Sequence, residues 1–155
     1  YKADSAVKQL KIFATNFCSA NSFHLNGDQR GGQYSDFTYR PFTLEGNFAF
    51  AQGVQELLLQ SRSGYIEVFP AIPSSWQNVS FNNLRAEGAF LISANKKNNN
   101  VRVTIKSEAG GICKIKLPLK TFTISNKQKQ YKVKDGIVQF NLSKNESIVL
   151  EGAYK

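Results

Sequence analysis

The hydrophobic period of this chain changes once, at Gly64, and no other feature constrains its fold as tightly. Before that point apolar residues recur as on a helix: Ala6, Val7, Leu10, Phe13, Ala14 and Phe17 form one face, with Asp4 or Ser5 placed to cap its start. A second helix is expected at about 47–61, with Phe50, Val54, Leu57 and Leu58 on its buried face and Phe48 and Leu59 broadening it. A helix apolar over so much of its circumference needs cover on more than one side, and two helices cannot give each other that. After Gly64 the period becomes two. Tyr65–Phe69 reads as a strand stopped by Pro70, and 71–76 as a Pro-punctuated connector. Strands are expected at 79–86, 88–96, 100–107, 111–117, 120–125, 129–134, 137–142 and 146–151, with Asp135-Gly136 as a hairpin turn. Short strands at this spacing predict an antiparallel β-sandwich. Between the helices, residues 19–43 lose all periodicity, and a loop of that length in a compact domain usually has a function.

Charge divides at the same place. Residues 1–62 carry six basic and five acidic residues; residues 63–155 carry fourteen and six. A basic half can mark a nucleic-acid partner. Here the lysines alternate with apolar residues, as in Lys114-Ile115-Lys116-Leu117 and Lys132-Val133-Lys134, which is the pattern of a solvated sheet face. No nucleic-acid module motif accompanies them, so no nucleic-acid partner is expected. No apolar run approaches the ~20 residues of a membrane-spanning helix. The chain begins at Tyr1 and has no Met, so it is read as a piece of a longer protein.

Chemistry-bearing motifs are few. Cys18 and Cys113 lack metal spacing and leave two options, one disulfide or two buried thiols. Three Asn-x-Ser sequences, at Asn78, Asn141 and Asn145, matter only in a eukaryotic secretory setting. The glycines match no phosphate-binding loop, and no cofactor or metal is expected. The most informative stretch is Pro41-Phe42-Thr43-Leu44-Glu45-Gly46-Asn47-Phe48, which puts an acid at the mouth of a helix. The helix dipole favours an ionised carboxylate there, as a general base needs, and Asn47 can orient a water beside it. Tyr34, Asp36, Tyr39, Arg40, His24 and Asp28 lie near in sequence, and aromatic, Arg and amide side chains suit sugar hydroxyls. The alternative is that Glu45 only caps the helix.

That stretch and its continuation carry a resemblance. Pro41–Phe48, then Gly53-Val54-Gln55-Glu56-Leu57-Leu58-Leu59-Gln60-Ser61, Gly64-Tyr65-Ile66, Phe69-Pro70-Ala71-Ile72-Pro73-Ser74-Ser75-Trp76 and Leu84-Arg85-Ala86-Glu87-Gly88-Ala89-Phe90 resemble the C-terminal part of a bacterial glycoside hydrolase of family 95, in order and spacing. The similarity is specific over about 20–92. The family contains α-L-fucosidases and α-L-galactosidases that act with inversion. The resemblance implies a mixed α and β fold: 1–62 as the last helices and active-site loop of an (α/α)6 catalytic barrel, 63–78 as a linker, and 79–155 as an antiparallel C-terminal β-sandwich. It implies an oligosaccharide substrate, contact with the rest of the parent catalytic domain, and a periplasmic or extracellular location.

The family's catalytic Asp lies in a Phe-Gln-Ile-Asp-Gly-Asn type motif that falls on Phe42–Asn47, so Glu45 takes the base position and Asn47 assists it. The acid is Glu where the family has Asp. One methylene displaces a carboxylate by about 1 Å, a shift that can cost about 10²-fold in rate. The family's usual His-Pro-Pro-Phe is Tyr39-Arg40-Pro41-Phe42 here, leaving His24 or Arg40 to replace the sugar contact, with Tyr39 beside them. Inversion needs two carboxyl groups about 6.5–9.5 Å apart. The general acid belongs to a part of the family's sequence upstream of Tyr1, so the chain alone is expected to be inactive. The alternative reading is a non-catalytic carbohydrate-binding or structural β-sandwich module.

Overall fold

The computed structural model describes residues 2–37 and 39–155 and divides into two compact units, 1–57 and 58–155. The first unit holds two helices. Helix α1 spans Ala3–Asn16, and its N-cap lies two residues ahead of Asp4 and three ahead of Ser5, the expected caps: Lys2 occupies it without a side-chain bond, and Asp4 sits inside the first turn. There its charge meets the positive end of the helix dipole. Helix α2 spans Leu44–Leu58, starting and ending three residues earlier than its periodicity predicts. It stops because Leu59 leaves the helix to pair with a strand. The helices meet through Phe13 and Phe50, whose rings stack at 5.4 Å. Neither helix is well covered within its own unit: α1 has no buried residue, α2 has only Leu57, and Phe48 is 70% exposed.

The second unit is two five-stranded sheets around one core. In chain order the strands are β1 Leu59–Gln60, β2 Ile66–Val68, β3 Asn78–Ala86, β4 Phe90–Lys97, β5 Asn100–Ser107, β6 Gly111–Lys116, β7 Thr123–Ile124, β8 Lys132–Lys134, β9 Ile137–Leu142 and β10 Ser147–Ala153. One sheet runs β1-β2-β6-β9-β8 and the other β3-β4-β5-β10-β7. Pairings between strands of 79–155 are antiparallel, as expected; β2, from the expected 63–78 linker, adds to β6 in parallel, matching Ile66 to Ile115 and Glu67 to Lys116. A salt bridge from Lys116 Nζ to Glu67 Oε1 (2.9 Å) reinforces that pairing. At the predicted hairpin both Asp135 and Gly136 have positive φ, as a type I′ turn requires.

Alternation sorts each strand between core and solvent. Ile92 and Ala94, Val101, Val103 and Ile105, and Ile148 and Leu150 face inward from one sheet; Cys113, Ile115, Val138, Phe140 and Leu142 do so from the other. Burying each large aliphatic contributes about 1.5–3 kcal/mol. A charged exception in the pattern is Lys96, an inward position of β4 that is only 5% exposed. Its ammonium donates to the Trp76 and Gln77 carbonyls (2.9 and 3.3 Å) and lies 4.9 Å from the centre of the Tyr154 ring. Carbonyl dipoles and a π face thus replace the lost water. Trp76 itself packs against this core. Cys18 and Cys113 fall in different units and are both free thiols, so the disulfide option is not realised.

Candidate functional site

The segment between the helices has no regular structure, yet it is tied down at both ends. Cys18 bridges to His24 and Leu25 to Phe42. Leu25 N–H donates to the Phe17 carbonyl (2.8 Å), and Thr43 N–H to that of His24 (3.1 Å). These bonds bring His24 against the first turn of α2.

Asn47 fastens that junction. Its Oδ1 accepts from the His24 backbone N–H (2.8 Å) and its Nδ2 donates to the Ser22 carbonyl (2.7 Å). One lone pair and one N–H of the amide are left for a water or a ligand. The His24 ring stacks on Phe13 at 5.0 Å, and its Nδ1 meets both the hydroxyl and the carbonyl of Thr43, the latter at 3.1 Å. Nδ1 either donates to that carbonyl or accepts from that hydroxyl, according to the ring's tautomer. The ring fits only because residue 46 is glycine: a Cβ there would overlap it. Glu45, next in the same turn, is exposed and has no hydrogen bond or ion pair among the described residues. Sequence reasoning missed the parts of Thr43, Gly46 and Phe13, because no local pattern says which side chains a folded loop brings together.

Asp28 organises the far end of the loop. It is 1% exposed. One carboxylate oxygen accepts from Arg30 N–H (2.7 Å) and Asn16 Nδ2 (3.1 Å), the other from Tyr34 N–H (3.0 Å). The Tyr34 and Arg30 amides, outweighing burial, hold its carboxyl below the usual aspartate range. Asn-Gly-Asp chemistry, which favours turns bonded to the backbone, was the signal available in the sequence.

Tyr39 and Arg40 stand apart from this cluster. Both are exposed and, with Asp36, Phe37 and Pro41, line an open hollow of ≈ 770 Å³. The Tyr39 ring meets Phe37 edge-on at 5.7 Å. Among the described residues neither bonds to His24, Glu45 or Asn47. No three His, Cys, Asp or Glu side chains of the described residues gather as a metal site would require.

The second unit carries the family signature. A model of the C-terminal domain of glycoside hydrolase family 95 matches residues 60–150, nearly all of the sandwich. The chain belongs to glycoside hydrolase family 95. Among its relatives, Alpha-L-fucosidase 2 of Arabidopsis thaliana is 42% identical over 66 residues, which is 41% of this chain and 8% of the relative. The family 95 chain therefore spans a small part of that relative's length. Glu45, Asn47, His24, Tyr39 and Arg40 all precede the residues matched by the family model.

Proposed function

We propose that this chain is the C-terminal part of an exo-acting, inverting glycosidase that removes terminal α-L-fucose or α-L-galactose, with Glu45 as general base. Residues 1–57 would belong to the catalytic barrel and 58–155 to the sandwich, with β2 and Ile72 of the expected 63–78 linker built into its sheet and core. The observation that carries the reading is the state of Glu45: a free carboxylate in the first turn of α2, next to a glycine on which an anchored imidazole is seated. As general base, Glu45 would take a proton from the attacking water. The remaining valences of Asn47 suit that water, and His24 Nε2 would hydrogen-bond a sugar hydroxyl. Tyr39 and Arg40, which stand apart from this cluster, would contact more distant parts of the substrate. The half-covered helix faces suit the interior of a larger helical domain, and the second carboxyl group needed for inversion comes from that domain. The chain alone is inactive on this reading, and the parent works on oligosaccharides in the periplasm or outside the cell.

Aryl α-L-fucoside and α-L-galactoside hydrolysis by the full-length parent, with and without Glu45→Gln, tests the proposal. Activity on either sugar that disappears in the variant, with folding retained, supports it; activity indifferent to Glu45 removes the base from the assignment. Retained folding matters because Glu45 is exposed and its replacement leaves the packing untouched.

A further inference from the structure

The register of the β6-β9-β8 sheet gathers cations on its outward face. Residues directly opposite on neighbouring strands share a face. Lys114, Gln139 and Lys132 form one cross-strand row, Ile112 and Asn141 the row on one side, and Lys116, Ile137 and Lys134 the row on the other. Cys113, Ile115, Val138 and Phe140 alternate with them into the core. Lys116 is paired with Glu67, whereas Lys114, Lys132 and Lys134 have no carboxylate partner among the described residues. Asp135, the acid of this hairpin, is confined to its turn. Beside the rows lies a hollow of ≈ 870 Å³ lined by Ile112, Tyr131, Lys132, Gln139 and Asn141, among others. Residues 58–155 carry fifteen basic and six acidic residues, while 1–57 carry five of each.

We propose that this face binds an acidic polysaccharide, a glycan bearing carboxylate or sulfate groups. Lys114 and Lys132 are two strands apart, about 10 Å, and Lys132 and Lys134 about 7 Å apart along β8. Such spacing suits charges repeated along a polymer better than one small anion. The amides of Gln139 and Asn141 supply donors and acceptors for hydroxyls between the charges. Edge protection explains lysines on β8, which ends the sheet, but not Lys114, because β6 lies between β2 and β9. Single-stranded nucleic acid is the weaker match: its bases need exposed aromatic faces, the three rows contain none, and the Tyr131 ring leans against Phe122 at 5.6 Å.

Affinity electrophoresis of the 155-residue chain through carboxymethyl-cellulose, with hydroxyethyl-cellulose as the uncharged counterpart, tests this. The chain is expected to be retarded by the charged polymer alone, and salt is expected to weaken the retardation. Lys114→Gln/Lys132→Gln/Lys134→Gln is expected to lower affinity about tenfold, as the loss of three solvent-exposed ion pairs would. Lys97→Gln/Lys106→Gln/Lys120→Gln removes the same charge elsewhere and is expected to change affinity less than about twofold. Circular dichroism of both variants checks that they fold. Absence of retardation, equal losses in the two variants, or equally tight binding of an oligothymidylate would each overturn the proposal, the last in favour of a general polyanion surface.

Discussion

Asp28 and Asn47 do similar work, each spending a short polar side chain on backbone groups of one loop. Asp28 uses both oxygens, so Asp28→Asn must present an amide N–H to at least one backbone N–H it now accepts from. Faster hydrogen exchange at Arg30 and Tyr34 is expected in that variant, with exchange elsewhere unchanged. A carboxyl whose pKa is lowered by folding stabilises the folded loop above its unfolded value, about 3.9. That contribution is lost as pH falls through the lowered folded value. Protection of those two amides is thus expected to persist at pH 5 and to disappear only in stronger acid. The two thiols are also distinguishable. Burial pushes the Cys113 pKa up to about 12, leaving almost no thiolate at neutral pH. Under native conditions a maleimide is expected to label Cys18 and to reach Cys113 only after unfolding, which intact mass measurement would show.

Elements in this chain end where a better partner for the backbone exists. The apolar run of α2 continues past Leu58, but Leu59 and Gln60 pair with Val68 and Glu67 and so exchange helical bonds for sheet bonds. Strand β10 lies between β5 and β7 and depends on close backbone approach at Gly152, where a Cβ would overlap the Thr121 carbonyl oxygen. A backbone obstacle cannot rotate away as a side chain can. Gly152→Ala is therefore expected to destabilise the sandwich by about 1–3 kcal/mol, read from the midpoint of chemical denaturation. A Gly→Ala change that left the midpoint unmoved would show that β10 and the Thr121 segment separate freely.

At the scale of the molecule the two units differ in how much they bury. Unit 58–155 encloses aliphatic side chains from both sheets, whereas 1–57 buries few apolar residues beyond Leu25 and Leu57. Helical signal in far-ultraviolet circular dichroism is expected to melt below the sandwich, giving two transitions rather than one. Phe37, Tyr39, Phe42 and Phe48 are exposed in the first unit. Apolar surface of that kind promotes association, so sedimentation velocity of the 155-residue chain is expected to show concentration-dependent species. Substituting Phe48 with a polar residue should reduce them.

The change of period at Gly64 separated helical from extended sequence, because a side-chain repeat of 3.6 or 2 is a local property of the backbone, but it missed that Leu59 and Gln60 already belong to the sandwich. Alternation likewise separated the inward residues of β4, β5, β6 and β9 from the lysines outside. The Pro41–Phe48 run marked Glu45, since a carboxylate at a helix start is also a local feature. Other features were beyond its reach. The parallel β2–β6 pairing, the burial of Lys96 under the Trp76 and Gln77 carbonyls, the seating of His24 on Gly46, and the gathering of Lys114, Lys132 and Lys134 on one face all join residues distant along the chain. Such contacts depend on strand order and register, which are decided when the whole core closes and leave no mark in any single stretch of sequence.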